Sequence, residues 1–492
     1  MPTELSAANL EAISTFAAVP RYQQSELEAG IVHFGVGNFH RAHQAVYLDE
    51  LFSLGLDHDW ALVGAGVRDT DTAMRATLEE QNWLTSVVEQ EAKESTVHVT
   101  APMVDFLPVG DTRAIIGKLA DPKIRIVSLT ITEGGYYIDP ATQKFDASHP
   151  DIRHDAEQSD APKTVFGLIL AGLKRRRDGG IPPFTVMSCD NIPGNGHVTE
   201  NALVGLAELI EPELASWVRH SVAFPNGMVD RITPATGERE RRLVAEEFGI
   251  ADRWPVFCEG FKQWVLEDKF PLGRPALEKV GVQFVHDVAP FELMKIRILN
   301  GGHATIAYPA GLMDIHFVHE AMEHPLVRGF LEKVERDEII SVVPPVPDTD
   351  LDDYYALIER RFSNPKIGDT IQRLCLDGSN RQPKFILPSV RDRLAQGQSV
   401  IGLTLVSALW ARYCYGESDS GKPIPPNDPS WSRLTALAAR AKADPAAWLT
   451  MTDIFGDLSG NPTYVAAFTH ALSTLWQVGT KATLERYLAG SL

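Results

Sequence analysis

Between residues 29 and 191 short runs in which nearly every position is apolar alternate with longer stretches whose apolar residues recur every three or four places. The runs are "GIVHFGVG", "WALVGAG", "KIRIVSLTI" and "FTVMSCDN". Between them lie "NFHRAHQAVYLDELFSLG" and "APKTVFGLILAGLKRRRDGG", and "TENALVGLAELIEPELASWV" follows the last run. Continuous apolar runs of strand length suit strands covered on both faces, and the helical spacing between them suits the covering helices. Strand and helix in alternation predict a parallel sheet, hence an α/β fold with a Rossmann-type N-terminal domain. From about Phe291 the periodicity is helical, interrupted by the proline-rich joints "VVPPVPDTD" and "KPIPPNDPSW". The boundary is placed near "QFVHDVAP", giving a nucleotide-binding domain over 1–285 and a mostly α-helical substrate-binding and catalytic domain over 286–492.

Composition narrows the function classes. The chain has 492 residues, 44% apolar and 23% charged, with a formal charge of -19. That length exceeds the ~250–300 residues at which single cores stop growing. The acidic balance disfavours nucleic acid and anionic membrane surfaces as partners. No apolar stretch reaches the ~20 residues of a membrane span, and the N-terminus has no apolar leader segment. Cys189, Cys258, Cys375 and Cys414 are scattered and form no C-x-x-C pair, which suits reduced thiols in a cytoplasmic protein and predicts no metal site. A small neutral substrate fits, and two domains large enough to bury their own cores favour a monomer.

"IVHFGVGNFHRAH" follows a predicted strand and opens a helix, the setting of a dinucleotide fingerprint. Gly35 and Gly37 take the first two glycine positions, with Asn38 and Phe39 starting the helix whose N-terminus would face a pyrophosphate. The third glycine position is His40. At the end of the second strand Asp69 is the candidate to bind the adenosine ribose and favour NAD, while Arg68 beside it is a possible partner for a 2′-phosphate. Thr130, Thr132 and Glu133 follow the third run and Asp190 and Asn191 the fourth, at the sheet edge where ligands of open α/β sheets bind.

"FELMKIRILNGGHATIAYPAGLM" reads as a buried helix, yet it carries Lys295, Asn300 and His303. On an α-helical wheel of about 100° per residue, Asn300 and His303 fall within roughly 140° of Lys295, so the three polar groups converge. A lone lysine there would reach for the surface; three convergent polar groups indicate a site. Oxidising a secondary alcohol requires a base for the hydroxyl proton and donors for the charge that develops on oxygen. An ordinary lysine is protonated near neutrality, but desolvation and a neighbouring cation such as Arg373 would favour the free amine. Asn191 and Asn300 can donate to a developing alkoxide, and His303 can orient the hydroxyl or the lysine.

"GVGNFHRAHQ", "SLTITEGGY", "SCDNIPGNG", "FCEGFKQWVLED", "KIRILNGGH" and "RFSNPKIGDTIQRLCLDGSNRQPKFILP" occur in this order over most of the chain. Together they resemble the long-chain polyol dehydrogenases. The resemblance implies oxidation of a polyol such as D-mannitol to a ketose such as D-fructose with NAD and without zinc. It implies Lys295 as general acid/base, Asn191 and Asn300 as alkoxide donors and His303 as a positioning residue. Asp230 and Arg373 would bind the remaining substrate hydroxyls. Where relatives often carry lysine in a DGS-x-K segment this chain has Arg381, with Lys384 three residues on, so either cation is a candidate for the substrate. Three other readings stay open at this level: a uronate reductase of the same superfamily, a β-hydroxyacid dehydrogenase, and a non-catalytic NAD-binding redox sensor.

Overall fold

The computed structural model describes residues 2–139 and 144–492. Its contacts divide the chain into two units, 1–289 and 290–492.

The first unit is built on a five-stranded sheet: β1 (Ala29–Phe34), β2 (Ala61–Ala65), β3 (Met103–Phe106), β4 (Ile126–Leu129) and β5 (Thr185–Ser188). The spatial order is β3-β2-β1-β4-β5, and every pairing is parallel. This is the Rossmann order, in which the connections reverse direction between β1 and β4. The unbroken apolar runs follow from coverage of both faces. Val32, Phe34, Val127, Leu129 and Val186 lie in one buried cluster, while Ile31, Leu62, Ile126 and Met187 lie in another. On the first face helices Thr112–Leu119 and Val165–Asp178 approach so closely that a Cβ on Gly172 would lie 2.6 Å from Leu119 Cβ. Thr164 caps the second of these helices, accepting the Gly167 N–H at 2.9 Å.

Smaller sheets extend this unit. The hairpin Thr85–Gln90/Ser95–Thr100 is joined in parallel by Val256–Glu259. Gln263–Glu267 pairs antiparallel with Gly227–Asp230 and parallel with Gln283–Val285. These pairings bring the middle of the sequence back to the helix after β1. Arg231, itself buried, donates to Ala42 O at 2.6 Å and to Glu259 O at 3.0 Å, and pairs with Glu89. Trp264, fully buried, packs against both His43 and Tyr47.

Among the described residues the second unit has no strand. Helix Ile401–Tyr413 packs along the long helix Pro462–Leu488. Among the described residues of this unit, Lys295–Asn300, Glu335–Ile339 and Gln382–Ile386 are π-helical, and the first packs against the other two. At the third, Pro388 lies two residues past the end and cannot return a hydrogen bond to the preceding turn. Single π-turns within α-helices concentrate at functional sites.

Candidate active site

The glycine turn sits at the sheet's switch point. Gly35 leaves β1 with φ +91°, and a Cβ there would lie 2.1 Å from Thr130 O, so only glycine fits. Gly37 has extended backbone, and a Cβ on it would meet only Gly35 O, at 3.8 Å. The space before the helix N-terminus is therefore open, and the first turn of a helix has N–H groups with no acceptor inside the helix. The side chains of Asn38 and Phe39 are already engaged. Asn38 Nδ2 donates to Pro234 O at 3.3 Å and Thr236 Oγ1 at 3.2 Å, its Oδ1 accepts from Arg41, and Phe39 stacks on His43. What these two offer a ligand is backbone. Arg68 and Asp69 follow β2, both exposed, with Arg68 Nη2 3.5 Å from Ile131 O.

The loop after β4 is anchored by Asp190. Its carboxylate accepts the N–H groups of Ile131 and Thr132, each at 2.9 Å, and the Tyr136 hydroxyl at 2.6 Å. Burial outweighs these donors and holds the carboxyl above its ordinary value. The anchor holds Thr132 at φ +64°, a conformation that a β-branched residue rarely adopts, and strain of this kind collects at ligand clamps. Thr132 and Glu133 are left exposed at the rim. Asn191 is exposed beside Asp190, while Asn195, fully buried, ties the β5 end to the next strand. Asn195 donates to Gly227 O at 2.8 Å and accepts the Gly227 N–H at 2.9 Å. Asp230, buried, ends that strand.

In the second unit Lys295 is 7% exposed. It shares its turn with Arg297, a second buried cation, which Asp392 and the Val342 carbonyl hold. The helix does continue through Gly301 and Gly302, but Lys295–Asn300 is π-wound, so the α-helical wheel does not give the angles between Lys295, Asn300 and His303. The wider i→i+5 turn changes them. The two glycines permit close approach from both sides. A Cβ at Gly301 would lie 3.4 Å from Phe385 O, and one at Gly302 would lie 3.1 Å from Glu335 Oε1 and 3.4 Å from Phe362.

The His303 ring stacks on Phe362 at 4.2 Å, and its buried Nε2 has no hydrogen-bond partner among the described residues. Burial, and then Arg373, Arg361 and Arg381, hold the imidazole well below its ordinary pKa. It is therefore neutral, with one nitrogen able to donate and the other to accept. Arg373 is half-exposed and paired with Asp369, and Arg381 donates to Leu374 O at 2.6 Å. Lys384 is exposed. Among the described residues, no group of three or more His, Cys, Asp or Glu could hold a metal ion, and no helix is long and apolar enough to cross a membrane.

The family model described as the mannitol dehydrogenase Rossmann domain matches residues 29–279, and the mannitol dehydrogenase C-terminal domain matches 287–476. The chain is 61% identical to mannitol 2-dehydrogenase of Cereibacter sphaeroides over 471 residues, 96% of this chain and 98% of that one. The chain belongs to the mannitol dehydrogenase family. Among family members of known structure, it is similar to Pseudomonas fluorescens mannitol 2-dehydrogenase in a ternary complex with NAD and D-mannitol. That likeness has a TM-score of 0.87 and 42% identity, covering 99% of this chain and 100% of that one. A D-sorbitol dehydrogenase in substrate-free form matches with a TM-score of 0.91 and 33% identity, over 98% and 100% of the two chains.

For this family member, the open space before Gly37 and the N–H groups of the following turn fit the pyrophosphate of NAD. Gly35→Ala is expected to weaken NADH binding by about 10–100-fold, because the strained φ and the clash with Thr130 must both be relieved. A fluorescence titration of NADH against the variant checks this. Sequence reasoning placed Asp190 at the ligand-binding edge of the sheet, without its anchoring of the neighbouring loop, and passed over Asn195, Arg361 and Phe362. The signal for the first two was present in "SCDNIPGN", where short polar side chains follow a strand that must be tied to its neighbours. Nothing local marks Arg361 or Phe362, which meet His303 only through the fold.

Proposed function

We propose that this protein oxidises D-mannitol to D-fructose with NAD, and reduces D-fructose in reverse, with Lys295 as general acid/base. Other polyols such as D-arabinitol and D-sorbitol are further substrates. The observation that carries the reading is Lys295 itself, an amine 7% exposed on a π-wound turn that also bears Asn300 and leads into His303. When bound, NAD supplies the acceptor for the hydrogen that leaves the carbinol carbon as hydride.

The remaining work falls to the chain's own side chains. Lys295 takes the hydroxyl proton as the C=O bond forms and returns it in reduction. Asn191 and Asn300 each donate an amide N–H to the oxygen as negative charge develops there. His303, neutral, turns its unpartnered nitrogen to the substrate hydroxyl or to the lysine. Asp230, Arg373 and either Arg381 or Lys384 bind the hydroxyls away from the reacting carbon, and Asp69 favours NAD by repelling a 2′-phosphate. Thr132 and Glu133 border the nicotinamide half of the cofactor.

The state of the cations supports a neutral polyol over a uronate. Arg373 is neutralised by Asp369, and Arg381 spends a donor on a backbone carbonyl. A bidentate clamp on a substrate carboxylate would need a free guanidinium edge, and the Nε/Nη2 edge of Arg373 is already taken by Asp369. We take the working unit to be a single chain. The four cysteines, free and buried, suit a reducing cytoplasm.

The test is NADH formation at mildly alkaline pH with D-mannitol, D-arabinitol, D-sorbitol and mannonate in separate reactions, each with and without a chelator. Chelator-resistant turnover of mannitol, with little on mannonate, is expected. Turnover of mannonate alone would move the protein to the uronate reductases, and NADH binding with no turnover on any of the four would support the sensor.

A further inference from the structure

His33 is the last residue but one of β1, the central strand of the parallel sheet, and is fully buried where its neighbours are Ile, Val and Phe. A polar ring in that place is costly unless hydrogen bonds offset the lost hydration. Its partners account for both nitrogens. Nδ1 lies 2.8 Å from Ser128 Oγ, which is also within donating distance, 3.0 Å, of Gln44 Oε1. Nε2 lies 2.9 Å from Thr130 Oγ1 and 3.2 Å from Gly35 O.

The donors can be assigned. Gly35 O can only accept, and Thr130 Oγ1 lies 2.6 Å from it, so the Thr130 hydroxyl proton points there. His33 Nε2 must then carry the proton it shares with Thr130 Oγ1 and Gly35 O. Burial holds the ring down to about 3, so it is neutral with its one proton on Nε2, and the Ser128 hydroxyl stands between two acceptors, Nδ1 and Gln44 Oε1, of which it serves one at a time. The Gly37 N–H reaches the same carbonyl at 2.7 Å. Three donors thus converge on the oxygen of Gly35 and turn it toward β4, which leaves N–H groups rather than a carbonyl oxygen to meet an anion at the turn.

The departure at the third fingerprint position fits the same device. Glycine there normally allows close packing of helix on strand. In this chain His40 lays its ring flat on His33, with centroids 3.5 Å apart and planes 14° apart, so the pair fills that contact with two stacked rings.

We propose that His33 is a positioning residue for the dinucleotide: with Thr130 it clamps the Gly35 carbonyl, and with His40 it sets the height of the helix, so the phosphate-binding turn is formed before the cofactor arrives. The inference rests on the NAD reading above and assigns His33 no contact with cofactor or substrate.

Calorimetric titration of NADH into the full-length protein, paired with steady-state kinetics, tests it. Wild type should bind NADH; if it does not, the NAD reading itself fails. In His33→Ala the Kd for NADH and the KM for NAD should rise together by about 10–100-fold, the size expected on losing one or two buried hydrogen bonds. The kcat and the KM for mannitol should stay within about twofold, since a merely loosened fold would move all four. His33→Gln, which can return an N–H to Thr130, should recover most of the loss. Should His33→Ala fail to fold, Thr130→Val removes the clamp's hydroxyl and leaves its buried partners short of a hydrogen bond, and it carries the same expectation for the Kd of NADH and the KM for NAD. Folded variants that bind NADH within twofold of wild type, or that lose NADH and mannitol affinity equally, would overturn the proposal.

Discussion

Replacing Lys295 by alanine is expected to lower mannitol oxidation by about 10²–10⁴-fold, the range that a positioned acid/base supplies, while NADH still binds. The amine sits where the chain has few reasons to place one. The turn is mostly buried, its second cation Arg297 pairs with Asp392 and donates to Val342 O, and neighbouring glycines admit two further segments against it. A lysine kept for stability alone would show the opposite pattern: a lowered melting temperature and a modest change in rate. NADH titration and initial rates on the same preparation separate the two, and turnover within about tenfold of wild type would remove Lys295 from the mechanism.

Asn300→Ala is expected to lower kcat by about 10²–10³-fold, with a much smaller change in the KM for mannitol. The asymmetry follows from charge. An amide N–H gains strength as its acceptor passes from hydroxyl to alkoxide, so the loss falls on the transition state more than on the bound substrate. Asn191→Ala should show the same signature. A rise in KM with kcat unchanged would mean that these amides only hold the polyol.

Much of the fold was legible because its signals are local. The runs at β1, β2, β4 and β5 are apolar at almost every position because both faces of the sheet are covered, and Gly35 is required by a backbone conformation that no other residue adopts there. The candidate site stood out where polar residues broke a pattern, as Lys295, Asn300 and His303 do within an apolar helix. What stayed hidden depends on the fold. The π-winding of Lys295–Asn300 leaves no mark in the order of apolar residues, so the α-helical wheel angles do not apply there. The His40 that spoils the fingerprint makes sense only once it lies flat on His33. Arg373, taken as a substrate ligand, meets Asp369 four residues earlier, and its field reaches His303.

The central claim is that one amine carries the proton in both directions, and the most direct measurement is the pH dependence of kcat/KM for mannitol oxidation and for fructose reduction on the same protein. The neutral amine is needed for oxidation and the ammonium form for reduction, so oxidation should climb to a plateau as pH rises and reduction should fall over the same interval. His303 does not confuse the result, because burial and three arginines keep it neutral throughout neutral and alkaline pH. Opposed profiles, both lost in Lys295→Ala, are the predicted result; profiles that rise or fall together would contradict the account.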